Sequence, residues 1–326
     1  MPAECILEVI ESASGLGAIR SEWSSLACNP FQSPEWAFTW WRHFGSGRLH
    51  TLVFRKADRI SGIVPAFLHR WNRRRQITLI GSGITDTLDP PIDPRCQEEV
   101  LNTLGAHLSS DTNWDVCDWQ DLSIDTPLRR IASDSLHIAV NSDPECAAAS
   151  LPETLEEFWG ARSKDLRRNV RRYREKAENR GALTCEIACD ARPELVNGLI
   201  ALHEARWRAR NQPGMIAANR SAPFLSDIAQ EFARQGILRL FALRFEGELA
   251  AVIFAWLYRG TLSFYMSGFQ PRFEWFSPGQ LLLSECLRYS YEHGCRKWDF
   301  LRGTEAYKLA WGAQPAPKCR VVITRS

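Results

Sequence analysis

The amino-acid sequence predicts an α+β protein built as two tandem lobes, each with a mixed, mostly antiparallel sheet flanked by helices. Three observations support this prediction. The chain has 326 residues, 45% of them hydrophobic, which is enough for two ordinary domains. One segment, residues 49–70, recurs without a gap at residues 238–259. In both halves the predicted strands are grouped apart from most of the predicted helices, as in α+β folds.

The recurring segment predicts a β-hairpin in each half. Each copy has an apolar strand, a short polar turn (residues 56–59 or 245–248) and a second, longer apolar strand. Most paired positions agree in apolar character. The identical pairs are Leu49/Leu238, Arg55/Arg244, Ala66/Ala255, Leu68/Leu257 and Arg70/Arg259.

The same elements follow the hairpin in both halves. After a third strand comes a predicted helix, at residues 95–108 or 279–293, and then a short strand that carries Asp118 or Asp299. The C-terminal half alone has an extra helical block before its hairpin, at residues 155–181, 193–211 and 222–235. Two halves with one order of elements predict two lobes of the same fold.

The boundary between the lobes is predicted where Pro144 and Pro152 interrupt the periodicity. This places the first lobe at residues 1–145 and the second at residues 146–326.

Composition and charge exclude several classes of function. The formal net charge of +2 gives no strong field for nucleic acid or an anionic membrane. The first twelve residues contain three glutamates and no basic or apolar region, which is unlike a secretory signal. No run of 18 apolar residues is present, so no membrane span is predicted. We therefore expect a cytoplasmic protein.

Known catalytic and metal motifs are also absent from the sequence. The ten cysteines form no CxxC pair, and the closest two, Cys185 and Cys189, have no histidine near them in sequence. No metal site is predicted. The sequence contains no GxSxG, Walker P-loop, HExxH or GxGxxG after a strand, so hydrolase and dehydrogenase functions lose support.

A helix start in the C-terminal half is the first candidate binding site. A strand ends at Gly268, an aromatic loop follows, and Ser277-Pro278-Gly279 opens a helix with Ser277 as the predicted N-cap. Free backbone N–H groups and the positive end of the helix dipole suit a pyrophosphate there. An ordinary capped helix explains the same residues.

The strand that carries Asp299 is the second candidate. Asp299 lies in an apolar strand, where burial of its charge is costly unless Arg302 or Lys308 pairs with it. Such an ion pair is one interpretation. The other is that the carboxylate accepts a proton from an amine nucleophile, while Tyr307 or Tyr265 donates a hydroxyl proton to a leaving thiolate.

Two helical segments add further candidates. Residues 162–180 form a basic helix with one apolar stripe, and its charged surface is either simply solvated or binds phosphates of a carrier or an RNA. His203 and Trp207 share one helical face, so His203 is either a packed side chain or a base. The Gly- and Asn-containing loop at residues 212–219 is long enough to cover a site.

Taken in order, these motifs resemble the GNAT-type acetyltransferases associated with cellulose biosynthesis, which are relatives of the Fem-type aminoacyl transferases. The resemblance rests on residues 202–207, on the hairpin from Leu238, on residues 277–279 and on residues 299–308, and is densest between residues 163 and 312. It implies two tandem GNAT-like lobes. It also implies a splayed pair of strands that holds the pantetheine arm of an acyl-CoA, with acetyl-CoA the expected donor.

The resemblance also implies roles for individual residues. The acceptor would be an amine of a small molecule, a sugar or a peptide, and no metal takes part. The N-terminal lobe would be catalytically silent and help to form the acceptor groove. The expected catalytic residues are Asp299, Tyr307, Lys308, Tyr265 and His203, and the expected donor-binding residues are Gly268, Ser277, Pro278, Gly279, Gln280 and Arg302.

Other donors and functions stay open. The chain lacks the common GNAT phosphate-loop pattern Q/R-x-x-G-x-G/A and has only Ser-Pro-Gly in its place. An acyl carrier protein or an aminoacyl-tRNA could therefore replace acyl-CoA, the latter in a Fem-like transferase. A non-catalytic accessory protein that retained the fold is the third hypothesis.

Overall fold

The computed structural model of the chain describes residues 4–208 and 220–325 and, within residues 206–208, the backbone alone. The chain forms two compact units, of which the first is Met1–Pro144 with Pro317–Ser326 and the second is Glu145–Ala316. Both contain a mixed sheet with helices, which confirms the predicted α+β class. The last ten residues, which the sequence analysis placed in the second lobe, group with the first unit.

The first unit contains a small sheet and a larger one. The small sheet has the order β1-β3-β4, and the larger sheet has the order β2-β5-β6-β7-β14, antiparallel except for the parallel pair β6–β7. The elements of this unit are β1 (Ile6–Ile10), α1 (Ala13–Ala18), α2 (Arg20–Leu26), α3 (Pro34–Phe44), β2 (Arg48–Leu49), β3 (Thr51–Lys56), β4 (Arg59–Val64), β5 (Ala66–Trp71), β6 (Arg74–Leu79), α4 (Gln97–Ser110), β7 (Val116–Ser123), and parts of β8 (Leu136–Ser150) and β14 (Gln314–Arg325).

The second unit is built on one sheet with the order β8-β13-β12-β11-β10-β9. Its neighbours are antiparallel except for β12–β13, which are parallel. The elements of this unit are α5 (Leu155–Gly160), α6 (Lys164–Glu178), β9 (Leu183–Ala188), α7 (Pro193–Arg208), α8 (Ser221–Arg234), β10 (Leu238–Phe245), β11 (Glu248–Tyr258), β12 (Thr261–Phe269), α9 (Pro278–Glu292), β13 (Lys297–Arg302) and α10 (Ala306–Ala310).

The predicted repeat is confirmed by the register of the two hairpins. Under the sequence alignment, the pair Leu52–Val64 of the first hairpin corresponds to the pair Phe241–Ile253 of the second, and both pairs are in register in the structure. Each hairpin then has a β-bulge at the matching position, after Phe54 in one and after Leu243 in the other. The pairing register is therefore the same in the two hairpins over residues 52–64 and 241–253.

The two hairpin turns also agree in backbone conformation. Both central residues have positive φ, at 48° and 62° for Ala57 and Asp58 and at 51° and 77° for Glu246 and Gly247. Two positive φ angles are typical of the I′ turn, whose twist matches that of the flanking strands.

One part of the hairpin prediction is wrong for the first unit. The second strand, expected to be continuous, breaks at Pro65 into β4 and β5, which lie in different sheets. Proline has no N–H to donate to a strand ladder, so a strand interior is interrupted there. The matching strand of the second unit, β11, has Phe254 at this position and runs unbroken.

Each unit has its own apolar core. In the first unit, Val100, Leu104 and Leu108 of α4 pack with strand residues such as Phe54 and Trp119. In the second unit, the α9 leucines at positions 281–283 pack with Trp298, Phe158 and Trp311. The predicted helix in each half thus covers one face of its sheet.

We expect that Gly247→Ala lowers the free energy of unfolding by roughly 1 kcal/mol, because alanine is strained at the φ of +77° while its Cβ meets no atom within 4 Å. Urea unfolding measures the change. Gly160→Ala is the matched control, since its Cβ is equally free of contacts and its φ is not positive. An equal effect of both substitutions would contradict the prediction.

Candidate active site

The parallel strands β12 and β13 pair over a short stretch and then part. Their register is Thr261–Lys297, Leu262–Trp298 and Ser263–Asp299, although β12 continues to Phe269 and β13 to Arg302. We call the region beyond these pairs, residues 264–269 of β12 and 300–302 of β13, the fork. It matches the splayed pair of strands that the resemblance implies.

A β-bulge shapes the β12 side of the fork. The pairs Ala255–Phe264 and Phe254–Met266 leave Tyr265 as the extra residue of β12. Bulges redirect side chains and are frequent beside active sites. Here the Tyr265 ring lies 5.5 Å from that of Trp256, whereas the Phe264 ring stacks on Phe300 at 5.1 Å. Successive side chains at the fork therefore enter two different aromatic clusters.

Gly268 permits a close approach between β12 and α7. A Cβ at this position would lie 2.7 Å from the backbone nitrogen of His203 and 2.8 Å from Cβ of Leu202. His203 itself is buried, with 6% of its surface exposed. The structure thus brings His203 and Gly268 together, and packing alone requires the glycine. The predicted roles of Gly268 in donor binding and of His203 in catalysis stay predictions.

Two predicted features lie outside the described residues. They are the side chain of Trp207 and the loop at residues 212–219.

The start of α9 differs from the prediction in one respect. Ser277 is at the N-cap position and Pro278 is the first helical residue, as expected, but the Ser277 side chain makes no capping hydrogen bond. Its backbone is left-handed, with φ of 49° and ψ of 62°. A capping hydroxyl needs extended backbone to reach the first-turn N–H groups. The expected side-chain cap at Ser277 is therefore wrong.

The first turn of α9 is open at Gly279. The Ser277 carbonyl accepts hydrogen bonds from the N–H groups of Gln280 and Leu281, at 2.9 and 3.3 Å. Pro278 has no N–H. The N–H of Gly279 is therefore the first one in this helix that can donate a hydrogen bond to a ligand at the helix start. A Cβ at Gly279 would meet no atom within 4 Å. A ligand could therefore approach this backbone closely.

Gln280 links the start of α9 to the end of α10. Its Oε1 accepts a hydrogen bond from Nε1 of Trp311 at 2.6 Å, and Trp311 is fully buried. Sequence analysis did not single out Trp311. Its only signal was its place shortly after Lys308, because a contact across 31 positions in sequence leaves no local pattern.

Asp299 is not paired as the ion-pair interpretation expected. Its Oδ1 accepts a hydrogen bond from the backbone N–H of Leu301 at 3.0 Å, and its Oδ2 lies 3.9 Å from Nζ of Lys297. Leu301 has a φ of +56°, so the carboxylate stabilises a strained backbone in β13. The side chain retains 26% exposure. The carboxylate is therefore partly accessible to solvent.

Lys308 is tethered to the turn that follows β13. The buried Nζ donates hydrogen bonds to the carbonyl oxygens of Arg302 and Gly303, at 2.5 and 3.2 Å, and lies 2.9 Å from Oε2 of Glu305. These contacts give Lys308 a structural role. Its expected catalytic role stays a prediction.

The predicted site residues form two groups. Tyr307 packs edge-on against Phe300, at 6.4 Å between rings, on the same side as Phe264 and Trp298. The first group surrounds β13 and the start of α9, and consists of Asp299, Arg302, Tyr307, Lys308, Ser277, Pro278, Gly279 and Gln280. The second group lies where α7 packs on β12 and consists of His203, Tyr265 and Gly268.

The basic segment forms the predicted helix, α6, but part of its charge is neutralised. Arg168 pairs with Asp165 at 2.8 Å and Arg171 with Glu175 at 2.7 Å, both within the helix. Arg174 pairs with Glu285 of α9. The surface is therefore less cationic than its sequence indicates.

Comparison with known families identifies the region that contains the fork. Residues 164–309 match the family model described as "Acetyltransferase (GNAT) domain". The second unit carries a GNAT acetyltransferase domain. GNAT domains generally use acetyl-CoA and transfer its acyl group to an amine. The finer assignment to the type associated with cellulose biosynthesis stays a prediction.

Solved structures share the fold over nearly the whole chain. FemX has a TM-score of 0.65 at 11% identity, with 96% of each chain covered. The C-terminal domain of a putative lysylphosphatidylglycerol synthetase from Agrobacterium fabrum has a TM-score of 0.57 at 12% identity, covering 94% of this chain and 92% of that one. L-PGS from Bacillus licheniformis has a TM-score of 0.56 at 14% identity, covering 97% and 92%. At such identities the likeness establishes the fold alone.

A search of curated sequences and a search for membrane-spanning helices both gave negative results. No curated protein sequence matches the chain. Among the described helices, none combines the length and the apolar character that crossing a membrane requires.

We expect that Lys308→Met lowers the free energy of unfolding by roughly 1–3 kcal/mol, because two backbone carbonyls lose their donor in a buried place. Chemical denaturation measures the loss. Lys297→Met is the control, since the Lys297 side chain is 49% exposed against 5% for Lys308. A Lys308 variant as stable as the wild type would contradict the structural role.

Proposed function

We propose that the protein is an N-acyltransferase that moves an acyl group, most simply acetyl, from an acyl-CoA thioester to an amine of a small molecule, sugar or peptide. The observation that carries this proposal is the fork between β12 and β13 within a GNAT domain. Beyond Ser263, the edge of β12 that faces β13 has no registered strand partner among the described residues. The two amide groups of a pantetheine arm can hydrogen-bond to such an edge as an added strand does.

The start of α9 supports a site for the donor's phosphates. The helix is 15 residues long, begins next to the fork, and offers the open backbone of Gly279. Helix N-termini attract anions through free N–H groups and the positive end of the dipole. The Gln280–Trp311 hydrogen bond holds this helix start against the segment after α10.

The chemistry requires one proton acceptor and one proton donor. The amine nitrogen attacks the thioester carbonyl, the C–S bond breaks, and the departing sulfur takes a proton while the nitrogen loses one. In our proposal Oδ2 of Asp299 accepts the proton from the amine, directly or through water. The hydroxyl of Tyr307, which packs on Phe300 at the fork, donates the proton to the thiolate.

A comparison of the two aspartate strands supports a silent N-terminal lobe. Asp118 pairs with Thr78 in the parallel register of β6 and β7, as Asp299 pairs with Ser263. In the first unit, however, both oxygens of Asp118 accept hydrogen bonds from Arg320, at 2.6 and 2.5 Å. A carboxylate held by a bidentate arginine is a poor base, because its charged form is stabilised. Among the described residues, no arginine contacts Asp299 in this way.

A second candidate is a transferase that uses aminoacyl-tRNA, which the basic surface of α6 favours. Arg167 and Arg172 of this helix are exposed and could contact phosphates. The ion pairs of Arg168, Arg171 and Arg174 weaken this candidate. Salt-sensitive tRNA binding that is lost in an Arg167→Glu, Arg172→Glu variant, together with no binding of any acyl-CoA, would favour it.

We expect that Gly279→Asp weakens acetyl-CoA binding by about tenfold or more, because a carboxylate placed there repels the donor's phosphates. The substitution should not unfold the protein, since the position is open and an acidic residue suits a helix N-terminus. Calorimetric titration measures the affinity. Gly279→Asn is the control of equal size, and equal losses for both variants would argue against phosphates at this helix start.

We expect that Tyr307→Phe and Asp299→Asn each lower kcat about 10²- to 10⁴-fold with little change in acetyl-CoA affinity. In Asp299→Asn the amide oxygen can still accept the Leu301 N–H, so the fold is retained. The assay measures thiol release with a panel of amines.

Tyr291→Phe serves as the control for loss of a hydroxyl, because Tyr291 only bonds to the Pro152 carbonyl. If turnover is unchanged in Tyr307→Phe but lost in Tyr265→Phe, the proton donor is Tyr265, on the side of β12 where α7 packs, and not Tyr307.

A further inference from the structure

Three side chains of the first unit converge although they are far apart in sequence. His50 lies between β2 and β3, His107 is in the last turn of α4, and Asp111 is the C-cap residue of that helix. One ligand atom from each, a ring nitrogen or a carboxylate oxygen, lies within 4.8 Å of the other two. His107 and Asp111 are four positions apart, which places them on one face of the helix end.

Three of the four ring nitrogens of the two histidines are buried and have no hydrogen-bond partner among the described residues. His50 is 4% exposed, and both of its ring nitrogens are buried without a partner among the described residues. Nε2 of His107 is likewise buried without a hydrogen-bond partner among these residues. The His50 backbone is fixed by a 2.9 Å hydrogen bond from its N–H to the Ala66 carbonyl. Buried polar atoms are rarely left without partners, so three at one place call for a bound group.

The carboxylates around His50 are directed at its two nitrogens. Oδ1 of Asp111 is held by the backbone and side-chain N–H groups of Asn113, at 2.9 and 2.8 Å. Its Oδ2 lies 4.0 Å from Nε2 of His50. On the other side of the ring, Oε1 of Glu11 lies 3.8 Å from Nδ1 of His50 and 3.3 Å from Nη1 of Arg48. These separations are too long for hydrogen bonds to the imidazole.

We propose that His50, His107 and Asp111 bind a divalent transition-metal ion of the zinc class, with Glu11 orienting His50 through its Nδ1–H. Two ligand atoms on a tetrahedral zinc ion lie roughly 3.3 Å apart, since each bond is about 2.0–2.1 Å long. The observed 4.0 Å between Nε2 of His50 and Oδ2 of Asp111 closes to this value with small side-chain rotations. If the Glu11 carboxylate closes its 3.8 Å distance to Nδ1 in the same way, it supplies the carboxylate–histidine pair that commonly supports a metal-bound imidazole.

The donor set determines the class of ion. Two imidazoles and one carboxylate suit zinc and neighbouring first-row ions, whereas calcium and magnesium prefer oxygen ligands alone. Burial lowers the pKa of both His50 and His107, so both imidazoles are neutral near pH 7, as metal binding requires. Three protein ligands leave one coordination position for water or another group.

The position of the site points to a structural role. A metal here would join the end of β1, the junction of β2 and β3, and the end of α4. It lies in the first unit, whereas the proposed catalytic residues belong to the second. Sequence analysis predicted no metal because residues 50 and 107 share no local motif.

The test is equilibrium dialysis of the full-length, tag-free chain, stripped with a chelator, against Zn²⁺ and Co²⁺, with metal content measured by mass spectrometry. We expect one ion per chain and a tetrahedral Co²⁺ absorption spectrum. Glu11→Gln should weaken binding about 10- to 100-fold, the usual effect of removing a partner of a ligating histidine. His107→Gln and Asp111→Asn remove a ligand and should weaken it more.

Controls make the result independent of folding and of the catalytic proposal. His137→Gln removes an exposed histidine of the same unit and should leave binding unchanged. Zn²⁺ should raise the melting temperature of the wild type and of this control, but not of Asp111→Asn. The proposal is overturned if the folded wild type binds no stoichiometric ion, or if His107→Gln and Asp111→Asn bind as tightly as His137→Gln. Acetyl-CoA affinity, measured in parallel, tests the catalytic proposal separately.

Discussion

The departure of β13 from β12 is the constraint on which the second unit depends. Three paired residues hold the strands together, and the backbone of β13 then adopts a positive φ at Leu301, which the Asp299 carboxylate stabilises. The buried amino group of Lys308 fixes the next two carbonyls. Residues that could act in chemistry therefore also hold the backbone in the conformation that opens the fork. A cost in strain at this place is expected where the opening itself is functional.

The two units contain the same kind of parallel strand pair but surround its aspartate with different contacts. Both have a parallel pair of strands with an aspartate opposite a hydroxyl residue, Asp118 opposite Thr78 and Asp299 opposite Ser263. In the first unit β7 continues beside β14, and Arg320 of β14 holds Asp118. Equivalent positions of the repeated fold thus differ in their contacts, because Arg320 donates to both oxygens of Asp118 whereas the Asp299 carboxylate accepts a backbone N–H.

Sequence reasoning was accurate where local chemistry decides the structure. The gapless alignment of residues 49–70 with residues 238–259 predicted the hairpins, and their register and bulges agree residue by residue. Pro278 correctly marked the first residue of α9.

The sequence-based predictions were wrong or incomplete where contacts between residues far apart in sequence determine the structure. Ser277 ends a short 3-10 helix, Pro271–Phe276, and this sets its backbone conformation. The residues that lie next to Gln280 and His50 in the structure are far away in sequence. The missed histidine cluster has no local pattern for the same reason.

The chain leaves the first unit at Pro144 and returns to it at Pro317, so the second unit is inserted between two parts of the first. During synthesis, residues up to 316 emerge before the C-terminal part of β14, which completes the larger sheet of the first unit by pairing with β7. The larger sheet of the first unit can therefore be completed only after the second unit has been synthesised. The order of the chain thus makes the first unit, and not the unit with the proposed catalytic residues, depend on a strand that is synthesised last.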